Sequence, residues 1–407
     1  MNPILDYLQR ETEYVRLRAA LGKGEGPFSV FGLAEAQRAH VAAALGEGKT
    51  LLYVTANEPS AARAAEDIAA FGVAAAHFPM REALKADAVA SSGSITARRI
   101  RVLTALKNEP ICLCVSVNAL LQRMEPPQTL RDHTYRFVAG DSVEPQTLAR
   151  LLVENGYERV ELCEGRGQIA LRGGYVDVFP ITAEDPVRIE FFGDEIDTMR
   201  TYDPISQRSI QNVEDVLLPP AEESAQRLAD CCILDYLPED AILFLEAPAR
   251  IEEGGKAALE ASAEPLNSPL HTIRRMETPR TIMSFALTRS YGLIAPKGLF
   301  RFETRPATHY QGNEELLYGD IREWREQGYT VALYAGQHAK RLQDRLADEE
   351  LLLPVVENLT RALVPGESVI LGASLMRGFV YPESKLAVLS EQELYGSVRR
   401  GRAASKK

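Results

Sequence analysis

The chain has 407 residues, 45% of them hydrophobic and 25% charged, which is the balance of an ordinary globular protein long enough for two to four compact units. A net charge of −11 repels nucleic-acid phosphate and anionic lipid, so a nucleic-acid reader of this sequence would need a local basic patch. No apolar run approaches the roughly 20 residues that span a bilayer. The acidic N-terminal stretch lacks the apolar core of a secretory signal, and five cysteines without C-x-x-C spacing read as reduced thiols of a cytoplasmic protein.

Asn2 as N-cap and Pro3 in the first turn open a helix, with Ile4, Leu8 and Val15 as its apolar stripe. The glycine-rich LGKGEGP at 21–27 ends it. From Phe28 onward, short apolar strands at 28–31, 50–55, 73–78 and 111–116 alternate with Ala-rich helical stretches. That alternation predicts a mostly parallel sheet with helices on its faces. Pro126-Pro127 marks the exit. Residues 128–222 differ in character: one helix ends at Asn155-Gly156, then strands and Gly/Pro turns run to Pro219-Pro220. Within that stretch, GRGQIALRGGYVDVFP leads into two alternating strands, VRIEFF and IDTMRTY, joined at Gly193-Asp194. Arg159, Arg166 and Arg172 fall on its short β-type segments.

The α/β character returns at 231–250 as a short helix, a turn and a buried strand, followed by an acidic helix to about Ala263. After a linker at 304–311, a last unit alternates helix and strand, with strands at 329–335, 368–372 and 385–390. The expected organisation is one α/β domain split into 1–127 and 223–305, a small α+β domain at 128–222 inserted in it, and a second small α/β domain at 312–397. The basic end, 398–407, is expected to be disordered.

The chemistry such a sheet usually carries is missing. A phosphate loop, G-x-x-x-x-G-K-[ST], belongs between the first strand and the next helix, where glycines let backbone N–H groups cradle the anion. Gly32 is kept, but Gln37 stands for the second glycine, Arg38 for the lysine and Ala39 for the magnesium-binding hydroxyl. Gly48-Lys49-Thr50 spells the end of such a loop but precedes a strand, so it is a chance match. The acid pair that activates magnesium at a strand tip is reduced to Glu246, followed by Ala247; a lone glutamate there reads as solvated or helix-capping. The six histidines lack i, i+4 pairing. The expectation is a degenerate nucleotide site at Gly32, Gln37, Arg38, Ala39, Glu246 and Ala247, with no catalysis, metal or cofactor in this chain.

LRGGYVDVFP, PVRIEFFGDEID and YDPISQRS resemble the UvrB-homology module of the transcription-repair coupling factor (Mfd) family. ILDYLPEDAILFLEAPAR resembles the segment of UvrB-type proteins that carries the acidic helicase strand, and VILGASLMRGFVYPESKLAVLSEQELYG resembles the small domain after the module. The resemblance covers nearly the whole chain. UvrB itself is a poorer fit, because its loop and acids are lost and no Phe, Tyr or Trp lies between Pro79 and Thr134 to build a base-stacking hairpin.

The resemblance implies a degenerate helicase-like (P-loop-type) parallel-sheet domain with an inserted small α+β domain, followed by a second small α/β domain. It implies a non-catalytic N-terminal part that recruits UvrA to stalled-polymerase sites for nucleotide excision repair and regulates a DNA translocase. ATP, magnesium, RNA polymerase and double-stranded DNA would belong to the motor and polymerase-binding parts, before which this sequence stops, so it reads as an N-terminal fragment. The family's recruiting arginines map onto Arg159 and Arg172, with Arg166 beside them and Phe179 as the apolar anchor. The plainer alternatives are an Arg172 paired with Asp177 or Glu190 across the sheet and a Phe179 in the core. Two other functions stay open: a UvrB-like ATPase that tolerates Arg38, and a DNA-binding domain using Arg98, Arg99, Arg101 and the basic tail.

Overall fold

A computed structural model describes residues 2–81, 89–106, 109–285, 292–310, 312–357 and 359–396; the basic tail at 398–407 lies outside them. The chain opens with α1 (Pro3–Asp6) and α2 (Thr12–Lys23). The single N-terminal helix expected from the pattern is therefore broken, and Val15 is 45% exposed. The break falls at Glu11, whose backbone turns extended and whose carboxylate accepts the Ser384 N–H at 2.9 Å. Beyond it the buried stripe of α2 is Tyr14, Leu17 and Leu21.

Strand and helix then alternate through β1 (Phe28–Phe31), α3 (Glu35–Gly46), β2 (Leu51–Thr55), α4 (Glu58–Ala70), β3 (Ala75–Phe78), α5 (Val89–Ala105) and β4 (Cys112–Ser116). Short helices α6 (Val117–Leu121) and α7 (Pro127–Asp132) lead to β5 (Tyr135–Val138) and α8 (Pro145–Glu154). The strands β6 (Glu158–Arg159), β7 (Gln168–Arg172), β8 (Tyr175–Val178), β9 (Val187–Phe192), β10 (Glu195–Tyr202), β11 (Ser209–Asn212) and β12 (Asp215–Leu218) follow. The chain returns through β13 (Ile242–Glu246), α9 (Pro248–Ala261), α10 (Pro269–Arg275), β14 (Thr281–Phe285) and β15 (Gly298–Arg301). It ends with β16 (Arg305–Pro306), α11 (Glu314–Glu326), β17 (Thr330–Tyr334), α12 (Ala339–Asp348), β18 (Val355–Val356), β19 (Ser368–Leu371), β20 (Phe379–Tyr381), β21 (Leu386–Ser390) and α13 (Glu391–Tyr395).

The first sheet runs β15-β1-β14-β13-β2-β4-β3, and each neighbouring pair is parallel. Helices cover both faces, so strands such as LLYVT and CLCVS are buried throughout. Segments before and after the insertion supply its strands. The inserted sheet, β11-β10-β9-β8-β7-β6, is antiparallel except where β6 joins β7. The face carrying Ile169, Val176, Val178 and Ile189 packs under Leu148 and Leu152 of α8. A two-stranded ribbon of β5 and β12 closes the module.

The last sheet runs β16-β20-β21-β17-β19-β18. One apolar cluster holds Phe28, Val30 and Ala39 of the first unit together with Phe379, Tyr381 and Val388 of the last, so the two share a core. Among the described residues no helix is long and apolar enough to cross a membrane.

Candidate functional site

The loop after β1 meets the end of β13 at the C-terminal edge of the first sheet. Gly32 sits there at φ +85°. A Cβ on it would lie 2.2 Å from the Phe302 carbonyl oxygen, so only glycine fits. The Thr304 hydroxyl donates to the Gly32 carbonyl. Ala34, at the N-cap, has no side-chain acceptor of its own, and Gln37 turns back to accept its N–H at 2.8 Å. The amide of Gln37 reaches the Val380 carbonyl of the last unit at 3.5 Å. Ala39 is packed in the core.

Arg38 is buried. Its Nη1 donates to Glu246 Oε1 at 2.7 Å and its Nε to the Leu33 carbonyl at 3.3 Å. The other Glu246 oxygen accepts from the Tyr53 hydroxyl at 3.1 Å. Burial, and then the Glu246 charge, push the Tyr53 phenol well above its ordinary range, which keeps it a donor. Glu246, partly exposed, is thus held by Arg38 and Tyr53 and caps no helix. Ala247 takes the left-handed conformation at φ +52° and donates its N–H to the Ser284 carbonyl at 2.9 Å, which turns the chain into α9. The cation and anion left at this edge satisfy each other across the sheet. Among the described residues no group of three His, Cys, Asp or Glu is placed to hold a metal ion.

Arg159 and Arg172 lie on the inserted sheet. Arg159 is exposed on β6, which pairs only with β7 and forms the sheet edge. It stands opposite Ile169, so its side chain leaves on the face that α8 covers. Arg172 is exposed at the end of β7 and alternates with Ala170 and Gln168 onto the other face. The two arginines thus leave the sheet on opposite sides of the β6 edge. Arg172 donates through Nε, at 2.9 Å, and through Nη2 to the Glu161 carbonyl. Asp177 and Glu190 are taken by Arg188 and Arg200 at 2.7 Å each; the cross-sheet pairing considered for Arg172 is absent.

Arg166 is in the turn before β7, not on a strand. Its Nε donates to the Ala183 carbonyl at 2.7 Å, and its guanidinium lies 5.7 Å from the centre of the Phe179 ring. Phe179 is 5% exposed and packs with Cys163 and Ala170 in a small cluster of its own. Of the α5 arginines, Arg98 and Arg101 are exposed. Arg99, grouped with them from the sequence as a DNA contact or part of a solvated face, is 0% exposed. Its Nε donates to Glu223 at 2.7 Å, so it is a structural cation.

Residues 136–223, the stretch that builds this sheet, match the family model of the UvrB interaction domain. Across the chain the likeness is to transcription-repair-coupling factors. It is 24% identical to that of Bacillus subtilis (strain 168), with 97% of this chain and 40% of the relative covered. It is 23% identical to that of Staphylococcus aureus (strain MRSA252), with 79% and 34% covered, and 22% identical to that of Staphylococcus haemolyticus (strain JCSC1435), with 97% and 40% covered. The chain spans 34 to 40% of the length of these relatives. The resemblance read from its motifs is borne out.

Proposed function

We propose that this chain is the non-catalytic N-terminal part of a cytoplasmic transcription-repair coupling factor. Its inserted module recruits UvrA for nucleotide excision repair, and its first sheet is a helicase-like domain that has lost nucleotide binding. The observation that carries this reading is a coincidence of place: the stretch matching the UvrB interaction domain is the one that sets Arg159, Arg166 and Arg172 in solvent. Arginine suits such a face because its planar fork bonds carboxylates in pairs and stacks on aromatic rings. In the longer coupling factors, ATP, magnesium, double-stranded DNA and RNA polymerase would be handled by other segments, and this part would restrain the motor.

Titrating UvrA into the chain by calorimetry tests the recruiting role. Arg172→Ala should weaken binding at least tenfold with the melting temperature unchanged, and an unaltered affinity removes the reading. The competing ATPase reading requires a free cation at the phosphate loop, and Arg38 is tied to Glu246. A fluorescent ATP analogue with magnesium should show no binding; micromolar affinity would revive the motor.

A further inference from the structure

Phe192 ends β9 with 83% of its surface in water. Its neighbours give that exposure a purpose. Arg172 stands opposite Tyr175, and Tyr175 opposite Glu190. Phe192 lies two residues beyond Glu190 on the same strand, so it leaves the sheet on the Arg172 side. Two strand spacings and two residues separate Arg172 from Phe192, roughly 12 Å, which fits within one protein–protein patch. This is the face that α8 does not cover; Cys163 and Val160 pack over its Ala170 and Phe179 part, and Arg172 and Phe192 stand exposed beyond them.

The backbone that carries the ring is fixed. Phe192 pairs with Glu195 across the Gly193-Asp194 turn, Gly193 takes the left-handed φ of +66° that the turn needs, and the Phe191 N–H donates to the Gly174 carbonyl at 2.9 Å. With the backbone fixed, only the two side-chain torsions of Phe192 remain to be ordered when a partner covers the ring. The charges beside it choose the kind of partner. Asp194, Glu195 and Asp197 are exposed around the hairpin and would repel a phosphate backbone, so the ring is a poor platform for stacking bases.

We infer that Phe192 is the apolar anchor of the docking face, entering an apolar pocket on a protein partner whose rim carries a carboxylate for Arg172. The inference rests on the proposed docking role and moves the anchor from Phe179, which lies covered beneath Arg166, to the neighbouring hairpin. The test compares the full chain with Phe192→Ser and with Ile205→Ser, a control that is 92% exposed at the other end of β10. Each is titrated with UvrA by calorimetry.

Wild type and Ile205→Ser should bind alike, and Phe192→Ser should bind at least tenfold more weakly with its melting temperature kept. Wild-type binding that Phe192→Ser leaves within twofold overturns the anchor while the docking role stands. No wild-type binding overturns both. Affinity for single-stranded oligothymidine that Phe192→Ser abolishes would overturn the assignment to a protein partner.

Discussion

Arg38 and Glu246 are 208 residues apart in the chain and 2.7 Å apart in space. Removing Glu246 leaves Arg38 as a buried, uncompensated charge, and removing Arg38 leaves the partly exposed Glu246 unpaired; a break of this kind costs up to about 3 kcal/mol. Arg38→Ala should therefore lower the unfolding free energy by up to about 3 kcal/mol in urea titrations, and Arg38→Met combined with Glu246→Gln should lose clearly less. An equal loss in the single and double variants would show that packing of the arginine stem, not charge, holds the site. Positions 37, 38, 39 and 247 can be set against a phosphate loop and an acidic strand tip from the sequence alone, because those are local patterns with fixed spacing. The ion pair is not legible, since no spacing links position 38 to position 246, and a glutamate at a strand tip looks solvated until its partner is seen.

Among the elements, α5 joins the inserted module to the first sheet. Ala97 and Ile100 enter the module core. Arg99, on the same helix, donates Nε and Nη2 to the two Glu223 oxygens at 2.7 and 3.2 Å, and Nη1 to the Pro79 carbonyl at 2.8 Å. Arg81 adds a bond to Glu223 at 2.8 Å and one to Glu264 at 3.1 Å. Burial alone would raise the Glu223 carboxyl, but the charges and bonds of Arg99 and Arg81 outweigh it and hold it below its ordinary value of 4.5. A carboxyl depressed in the folded state contributes stability above pH 4.5, and that contribution fades as pH falls through the folded value. Denaturation midpoints below pH 4.5 should therefore drop more steeply in wild type than in Glu223→Gln, which is less stable at pH 7. Parallel curves would assign the acid sensitivity to other groups. The helix itself follows from its sequence, but its i, i+1 pattern of arginines looks like a solvated face, and only the returning linker at Glu223 turns one of them inward.

At the scale of the molecule, the last unit closes over α3. His40 lies at the seam, donating Nε2–H to the Ile4 carbonyl at 3.1 Å, with the Tyr381 hydroxyl 3.4 Å from Nδ1. Its ring is 4.9 Å from that of Phe71 and 5.2 Å from that of Phe379. Burial lowers its pKa from 6.5 to about 4, against a smaller opposing effect of the Ile4 bond. Below pH 6.5 the unfolded chain takes up a proton that the folded chain refuses until about pH 4. Stability should fall across that window by about 3 kcal/mol. His40→Phe should flatten this part of the pH dependence, and an unchanged slope would place the titrating group elsewhere. Above pH 7 the two proteins should show the same pH dependence.

The alternation of strand and helix, the change to a strand-and-turn stretch after Pro126-Pro127 and the lack of an intact G-x-x-x-x-G-K-[ST] run after the first strand were all legible in the sequence alone. Each depends on residues within one or two turns of one another, where periodicity, proline and glycine act directly. Only the tertiary structure decided which side chains meet or face solvent. In a strand a step of one residue reverses the face, so register alone separates Arg159 from Arg172 and puts Phe192 on the same face as Arg172. Contacts between distant segments put Phe179 beneath Arg166, Arg99 against Glu223 and Arg38 against Glu246, because a long-range contact is settled by packing and leaves no periodic trace in the chain.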